Sequence, residues 1–315
     1  MKILFIVHKG WYDKKCPPFW PLQAKAIAAL SNVFVHVSGL LWPDYNAQRS
    51  LADNVQRIMP DADVVYLWRP RGVAEFSGII EPEGEIKPLK VSSYQDDVAK
   101  AVLEANSLNL DLVFYHDLWD ARFFKSCTTK SMYLPLAVDT SMFSGAKPQS
   151  ERDISVLLTG KRDSDVYPFR NRLGKLIQSG VLPGEVRREY TYRYPNLNRV
   201  HEEQTNYARQ LGDAQVSIVT TCPRVPLTFR KFFESLASGC VLVGDMPAIP
   251  PDDVRGCIVE INNDMSNDAI RDVLYRFIDY PEEREKHRLK NLSVALAYSY
   301  EEFARKWLEA VKATL

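Results

Sequence analysis

The chain has 315 residues, with 40 Lys+Arg against 40 Asp+Glu, 5 His, 46% hydrophobic and 25% charged residues. That is the composition of an ordinary folded protein and excludes a disordered or low-complexity chain; the length suggests two domains. Zero net charge argues against a protein whose main work is binding a phosphate backbone, which would carry a basic surplus, but leaves room for a local basic pocket for a small anion.

In chain order, the N-terminal MKILFIVHKG has an apolar stretch, Ile3–Val7, too short for a signal-peptide core, and reads as a first strand. No run approaches the ~20 apolar residues that span a bilayer, so a cytoplasmic protein, with at most peripheral membrane contact, is expected. Further strands are expected at Val33–Val37, Val64–Trp68, Lys90–Ser93 and Leu112–Tyr115, rich in Val, Ile, Leu and aromatics as doubly buried strands are. Helices are expected between them at Leu22–Leu30, Ser50–Ile58 and Gln95–Glu104. Val138–Arg152 is polar, lacks periodicity and reads as a linker.

The pattern then restarts, with strands at Ile154–Thr159, Tyr190–Tyr194, Val216–Val219, Val241–Val243 and Ile258–Ile261. The intervening helices are Arg170–Gln178, Glu202–Gly212 and Thr228–Ser238, and the tail from Ala269 is helical. Alternating β and α implies parallel sheets. The expected fold is α/β: two Rossmann-like β/α/β domains, 1–145 and 146–315, facing a cleft, with C-terminal helices of which the last can pack back on the first domain. Ligands of such sheets bind beyond the carboxyl ends of the strands, so functional residues belong in the loops just after them. Neither G-x-G-x-x-G nor G-x-x-x-x-G-K-[ST] is present, which disfavours a dinucleotide dehydrogenase and a P-loop NTPase. The five cysteines (Cys16, Cys127, Cys222, Cys240, Cys257) are scattered without C-x-x-C spacing, so neither a disulfide framework nor a zinc site follows.

Three stretches, YLPLAVDTSMF (Tyr133–Phe143), ISVLLTGKRDSDVYPFRNRL (Ile154–Leu173) and TFRKFFESLASGCVLVGD (Thr228–Asp245), together resemble glycosyltransferases of the GT-B fold, in the group 1 and CgeB-like (spore-maturation-type) branches. The helical tail is similar to that family's closing helices, and the resemblance runs from about Tyr133 to the C-terminus. It implies a hexosyl or related transferase. A nucleotide-diphosphate-sugar donor would sit on the second domain and a glycan or lipid-linked acceptor over the first, with no cofactor, no required metal and no nucleic-acid partner.

Glycosyl transfer needs the leaving diphosphate stabilised, which helix N-termini and Arg/Lys can do. Arg230 and Lys231 open the helix that carries Glu234; cations there oppose the helix dipole, and a bound anion would rationalise them. The resemblance assigns Arg230 to phosphate and Glu234 to the donor ribose, the alternatives being a solvated charge pair and an ordinary helix carboxylate. Gly160, Lys161, Arg162 and Arg170 surround the first loop of the second domain and are assigned to the diphosphate, with Thr221 and Thr228 offering hydroxyls to the donor. Many retaining relatives carry a second Glu eight residues before the first. Here that position is Pro226, which leaves the stereochemical outcome open and keeps alive a catalytically inactive sugar-nucleotide binder or partner subunit; a sugar-nucleotide epimerase is the third reading.

In the first domain, His116-Asp117 follows a strand and is the candidate acid/base, against a hydrogen-bonded loop pair. His8 and Asp96-Asp97 also follow strands, although Asp96 suits a helix N-cap. Gly10–Trp20 reads as an aromatic loop suited to sugar rings or lipid headgroups. Asp61-x-Asp63 reads as a lead-in to a strand. Asp163-x-Asp165 lies near the phosphate site, where the basic residues make a metal unnecessary.

Overall fold

The computed structural model describes residues 1–14, 19–68, 88–94, 102, 105–106, 109–187 and 197–315. Continuous apolar runs become parallel strands buried on both faces, as Ile3, Leu4 and Phe5 of β1 and Val64–Leu67 of β3 are. The first sheet contains β1 (Lys2–Ile6), β2 (Phe34–Ser38), β3 (Val64–Trp68), β4 (Leu89–Tyr94), β5 (Leu112–Tyr115) and β6 (Lys130–Tyr133). Its order is β2-β1-β3-β4-β5-β6, every pair parallel. The second contains β7 (Ile154–Thr159), β8 (Glu185–Arg187), β9 (Ala214–Val219), β10 (Val241–Gly244) and β11 (Ile258–Glu260). Its order is β11-β10-β9-β7-β8, again all parallel.

The first sheet's helices are α1 (Lys9–Lys14), α2 (Phe19–Ala28) and α3 (Leu51–Ile58), with a single 3-10 turn, Leu118–Asp120, running into the short α4 (Ala121–Phe124). Ser50 starts α3, its hydroxyl accepting the Asp53 N–H at 3.0 Å. The second sheet carries α5 (Pro168–Gln178), α6 (Leu197–Gly212), α7 (Arg230–Ala237), α8 (Asp252–Arg255), α9 (Asn267–Asp279) and α10 (Pro281–Ala295); α11 (Tyr300–Lys312) ends the chain. Among the described residues no helix is long and apolar enough to cross a membrane.

The chain divides into two compact units, and α11 belongs with the first although it follows the second in sequence. It packs on α2 and brings the fully buried Trp307 ring to 5.3 Å from that of Tyr66 on β3. Lys130 Nζ, at the start of β6, holds the other end through Thr314 Oγ1 at 2.9 Å.

Several elements depart from the sequence reading. The expected aromatic loop Gly10–Trp20 is helical in its described parts, with α1 ending at Lys14 and α2 beginning at Phe19. Pro21 is accommodated in the first turn of α2, where no intrahelical N–H is needed. The strands β6 and β8 had no expected counterpart, because their short edge sequences KSMY and EVR are not apolar runs. The strand expected at Tyr190–Tyr194 lies outside the described residues, as does nearly all of the helix expected at Gln95–Glu104.

The linker is anchored rather than free. Val138 N–H bonds Tyr298 O at 2.8 Å. Arg152, buried to 3% exposure, donates to Lys147 O at 3.0 Å, Ala214 O at 2.8 Å and Ser238 O at 2.8 Å. Gln149 Nε2 donates to Gly239 O at 2.7 Å and Asn291 Nδ2 to Cys240 O at 2.6 Å. These side chains satisfy the carbonyls of Ser238, Gly239 and Cys240 in the turn that follows α7, together with those of Lys147 and Ala214. Replacing Arg152 by Met strands three carbonyls at once. Chemical denaturation of Arg152→Met is expected to show a loss of about 3 kcal/mol, each buried unsatisfied group costing about 1–3 kcal/mol.

Candidate functional site

Around β7 the strand order reverses: the chain leaves β7 for β8 on one side and later returns to β9 on the other. The carboxyl ends of β7 and β9 therefore border the crevice where open α/β sheets bind ligands. Gly160 follows β7 with φ +110°, a conformation that only glycine adopts without strain. A Cβ there would lie 3.0 Å from both Lys231 Nζ and Arg170 Nη1.

Arg170 is buried at 4% exposure. Its Nε donates to Thr220 Oγ1 at 2.9 Å, its Nη2 to Thr220 O at 2.6 Å and its Nη1 to Lys161 O at 3.2 Å, and the Tyr167 ring lies 4.1 Å beneath the guanidinium carbon. Three of its five N–H donors thus bind protein oxygens, so Arg170 ties the loop after β7 to the loop after β9. Thr221 is also engaged: its N–H donates to Asp245 Oδ1 at 2.7 Å and its hydroxyl to Asp245 Oδ2.

The helix α7 starts at this edge because it connects β9 to β10 in a parallel crossover. Its N-cap, Phe229, supplies no side-chain hydrogen bond, so the first-turn amides and the positive end of the dipole face whatever lies beyond. Thr228 is buried just before it. Lys231 reaches back to β7, with Nζ 3.4 Å from Thr159 Oγ1 and 5.6 Å from the centroid of the Tyr207 ring. Those two groups carry no formal charge. Arg230 turns to the linker, where Nη2 donates to Ala137 O at 3.2 Å, and its Nε lies 3.4 Å from Glu234 Oε1 one turn on. Glu234 is 1% exposed; a carboxylate so far from water requires a charge or donors beside it.

Gly160, Arg170, Thr221, Lys231 and the Arg230–Glu234 pair are thus supplied by the end of β7 and by α5, β9 and α7. Lys161 is exposed on the loop, while Arg162 lies along α5 with its Cδ 2.7 Å from where a Gly174 Cβ would stand. Asp163 Oδ1 accepts the N–H groups of Asp165 at 2.9 Å and Val166 at 3.2 Å, a local turn. Asp61 pairs with Lys2, and Asp63 accepts the Lys2 N–H at 2.7 Å. Among the described residues no three His, Cys, Asp or Glu are grouped to hold a metal ion.

In the first unit, His116 and Asp117 follow β5. His116 is 3% exposed, and its Nδ1 meets Leu134 O at 2.5 Å. A carbonyl there requires the proton on Nδ1, which leaves the Nε2 lone pair as the basic position. Burial lowers its pKa to about 4, against the opposing pull of that carbonyl. Asp117 Oδ1 accepts the Trp119 N–H at 2.8 Å and so caps the turn that follows. His8 Nδ1 accepts the Gly10 N–H at 3.0 Å; Asp96-Asp97 lies outside the described residues.

Sequence reasoning did not single out Thr159, Tyr207, Trp119, Asp120 or Arg122. Thr159 is the last residue of its strand, a signal that was available. Tyr207 comes from the middle of α6 and had none. Asp120 is 2% exposed, and its pKa is raised to about 7 by burial and by Asp117, with Arg122 opposing.

No family model and no curated protein sequence matches the chain. Solved structures do. Anabaena Alr3699/HepE in complex with UDP-glucose is 13% identical with a TM-score of 0.61, over 99% of this chain and 100% of that one. A glycosyltransferase from Rickettsia africae ESF-5 is 13% identical with a TM-score of 0.59, over 99% and 98%. Trehalose-6-phosphate synthase OtsA is 11% identical with a TM-score of 0.61, over 99% of both chains. At such identities the likeness is one of fold: the chain has the α/β architecture of two Rossmann-like domains that GT-B glycosyltransferases share.

Two outcomes follow from this geometry. Gly160→Ala places a side chain at φ +110° against two cations, and urea unfolding is expected to show a loss of about 1–3 kcal/mol. The second concerns pH. His116, depressed below its unfolded value of 6.5, contributes stability that is complete above pH 6.5 and is lost as pH falls toward 4. Asp120, raised above its unfolded value of 3.8, contributes stability that is complete below that value and is lost as pH rises through 7. The two oppose each other between pH 4 and 6.5. Relative to wild type, Asp120→Asn is expected to be most favourable above pH 7. That advantage shrinks by on the order of 2–4 kcal/mol at pH 4, at about 1.4 kcal/mol per pKa unit, as read from unfolding curves across pH.

Proposed function

We propose that this protein is a glycosyltransferase that moves a hexosyl or related group from a nucleotide-diphosphate-sugar, bound by the second unit, to a glycan or lipid-linked acceptor bound by the first. The observation that carries this reading is the placement of Lys231 against Gly160 at the β7/β9 reversal, beside the N-terminus of α7. An ammonium and a guanidinium drawn to one glycine without a Cβ, beside a helix N-terminus, are the features that a diphosphate requires. The fold agrees with this, since Alr3699/HepE, whose structure holds UDP-glucose, superposes over nearly the whole chain.

In this reading the diphosphate lies against Gly160, Lys231 and the first-turn amides of α7, with Arg230, Lys161 and Arg162 adding positive potential. Glu234 accepts the ribose hydroxyls, held for that task by Arg230 at 3.4 Å. Arg170 acts through the loops it joins and is a positioning residue; Thr221 and Thr228 shape the same edge. An acceptor oxygen bonds to the sugar C1 as the bond from C1 to the phosphate oxygen breaks. The negative charge that develops on the diphosphate is met by Lys231 and the helix dipole, without a metal. The acceptor proton passes to Nε2 of His116, and Asp117 keeps that turn in place.

A second reading is favoured by one residue. Pro226 stands where many retaining relatives carry a carboxylate, and its carbonyl is engaged by the Ala248 N–H at 2.9 Å, which suits a protein that binds a sugar nucleotide without transferring the sugar.

UDP is expected to raise the melting temperature of the wild type. Lys231→Ala and Glu234→Gln are each expected to weaken UDP binding roughly 10- to 100-fold, since a hydrogen bond to a charged group contributes about 1.5–3 kcal/mol. If no nucleoside diphosphate shifts the melting temperature, both readings fail. Slow hydrolysis of a UDP-sugar without acceptor separates the transferase from the inactive binder.

A further inference from the structure

The 3-10 turn Leu118–Asp120 and α4 follow β5 directly, so they lie at the carboxyl edge of the first sheet, where sheets of this kind bind ligands. Arg122 is exposed there. Its guanidinium carbon is 3.3 Å from the centroid of the Trp119 ring and 4.6 Å from that of Phe123. Stacking against two rings restrains an exposed guanidinium, so its N–H fork can engage a ligand at low entropic cost. Among the described residues that fork makes no hydrogen bond.

Two residues away, Asp120 presents the opposite condition. It is 2% exposed, and its Oδ1 has no hydrogen-bond partner among the described residues. Buried polar atoms are nearly always bonded, and one that is not points to a ligand, water or ion that completes it. The carboxyl is within electrostatic reach of Arg122, and its pKa, raised to about 7 by burial and by Asp117, lets it accept or donate near neutrality. Asp117 is occupied by the Trp119 N–H and His116 Nδ1 by Leu134 O. Within the 3-10 turn and α4, Asp120 Oδ1 and the Arg122 fork are polar groups that remain to be completed.

We propose that Trp119, Asp120 and Arg122 form an acceptor subsite, and that the acceptor is a hydroxylated ring bearing an anionic group. The Arg122 fork takes the oxygens of a carboxylate or phosphate in a bidentate pair, and Asp120 bonds a ring hydroxyl. This rests on the reading of the first unit as the acceptor domain. Because Arg122 is exposed, a neutral sugar leaves it hydrated at little cost. The site therefore selects anions by gain of affinity rather than by rejecting neutral rings.

Calorimetric titration of the full chain with glucose 6-phosphate, glucuronate and glucose, with and without UDP, tests the proposal. At least one anionic sugar is expected to bind 10- to 100-fold more tightly than glucose, the gain of about 1.5–3 kcal/mol from a charge-assisted hydrogen bond. The ratio between the two anions tells phosphate from carboxylate. Arg122→Ala is expected to abolish the preference, and Arg122→Lys to restore only part of it, because an ammonium lacks the planar fork. Asp120→Asn is expected to weaken all three sugars alike, and UDP binding is expected to hold in every variant. Glucose binding within twofold of both anions, no binding of either anion, or a preference that survives Arg122→Ala overturns the proposal. So does inorganic phosphate binding as tightly as glucose 6-phosphate, since the ring would then contribute nothing. If a nucleoside diphosphate binds while the preference is absent, this subsite alone fails; if no nucleoside diphosphate binds, the donor reading fails independently.

Discussion

The buried guanidinium of Arg170 is the interaction on which the site of the second unit depends. A charge removed from water is tolerated only when bonded, and its partners are Thr220 Oγ1, Thr220 O and Lys161 O. That requirement joins the loop after β7 to the loop after β9 on either side of the strand reversal. With the two loops joined, Gly160 can stand where its missing Cβ leaves space for Lys231 Nζ. Arg170, assigned to the diphosphate in the sequence, has three of its donors on these protein oxygens, and the second cation at the glycine, Lys231, comes from a helix about 70 residues further along the chain.

The helix α7 is held at its far end by a second buried guanidinium. Arg152 bonds Ser238 O and Ala214 O, with Gln149 and Asn291 on the next two carbonyls. Fixing the C-terminus fixes the axis, and with it the positions of Arg230, Lys231 and Glu234 in the first turns. Functional groups carried on rigid, doubly anchored elements keep their geometry without help from the ligand. The linker that reads as a polar spacer is, in its last residues, the anchor of α7.

The first unit follows the same logic with different chemistry. Its carboxyl edge carries a neutral imidazole whose tautomer is set by Leu134 O, a capping carboxylate, and then Asp120 and Arg122. The rule that function follows strand ends selects His116 and Asp117. The turn begun by Asp117 carries the chain three residues further and presents Asp120 and the stacked Arg122 at the same edge. Capping is what gives Asp117 its place, and that local role is the reason its neighbours hold the unsatisfied groups.

Hydrophobic runs and their spacing determined the two α/β halves, because a strand buried on both faces must be apolar throughout: Val64–Trp68, Leu112–Tyr115 and Ile154–Thr159 are legible to the residue. The motif from Thr228 to Asp245 likewise located α7 and its charged first turn. The short edge strands β6 and β8 were not legible, since hydrogen bonding to a neighbour, not apolarity, makes them strands. Nor was the division of labour among the cations, for Arg152, Arg170 and Lys231 have the same charge and differ only in which carbonyls, rings and glycines surround them. The sequence by itself determined which residue types reach the sheet edges. Tertiary structure alone decided which of them are consumed by the fold, because burial and bonding partners arise from segments far apart in the chain.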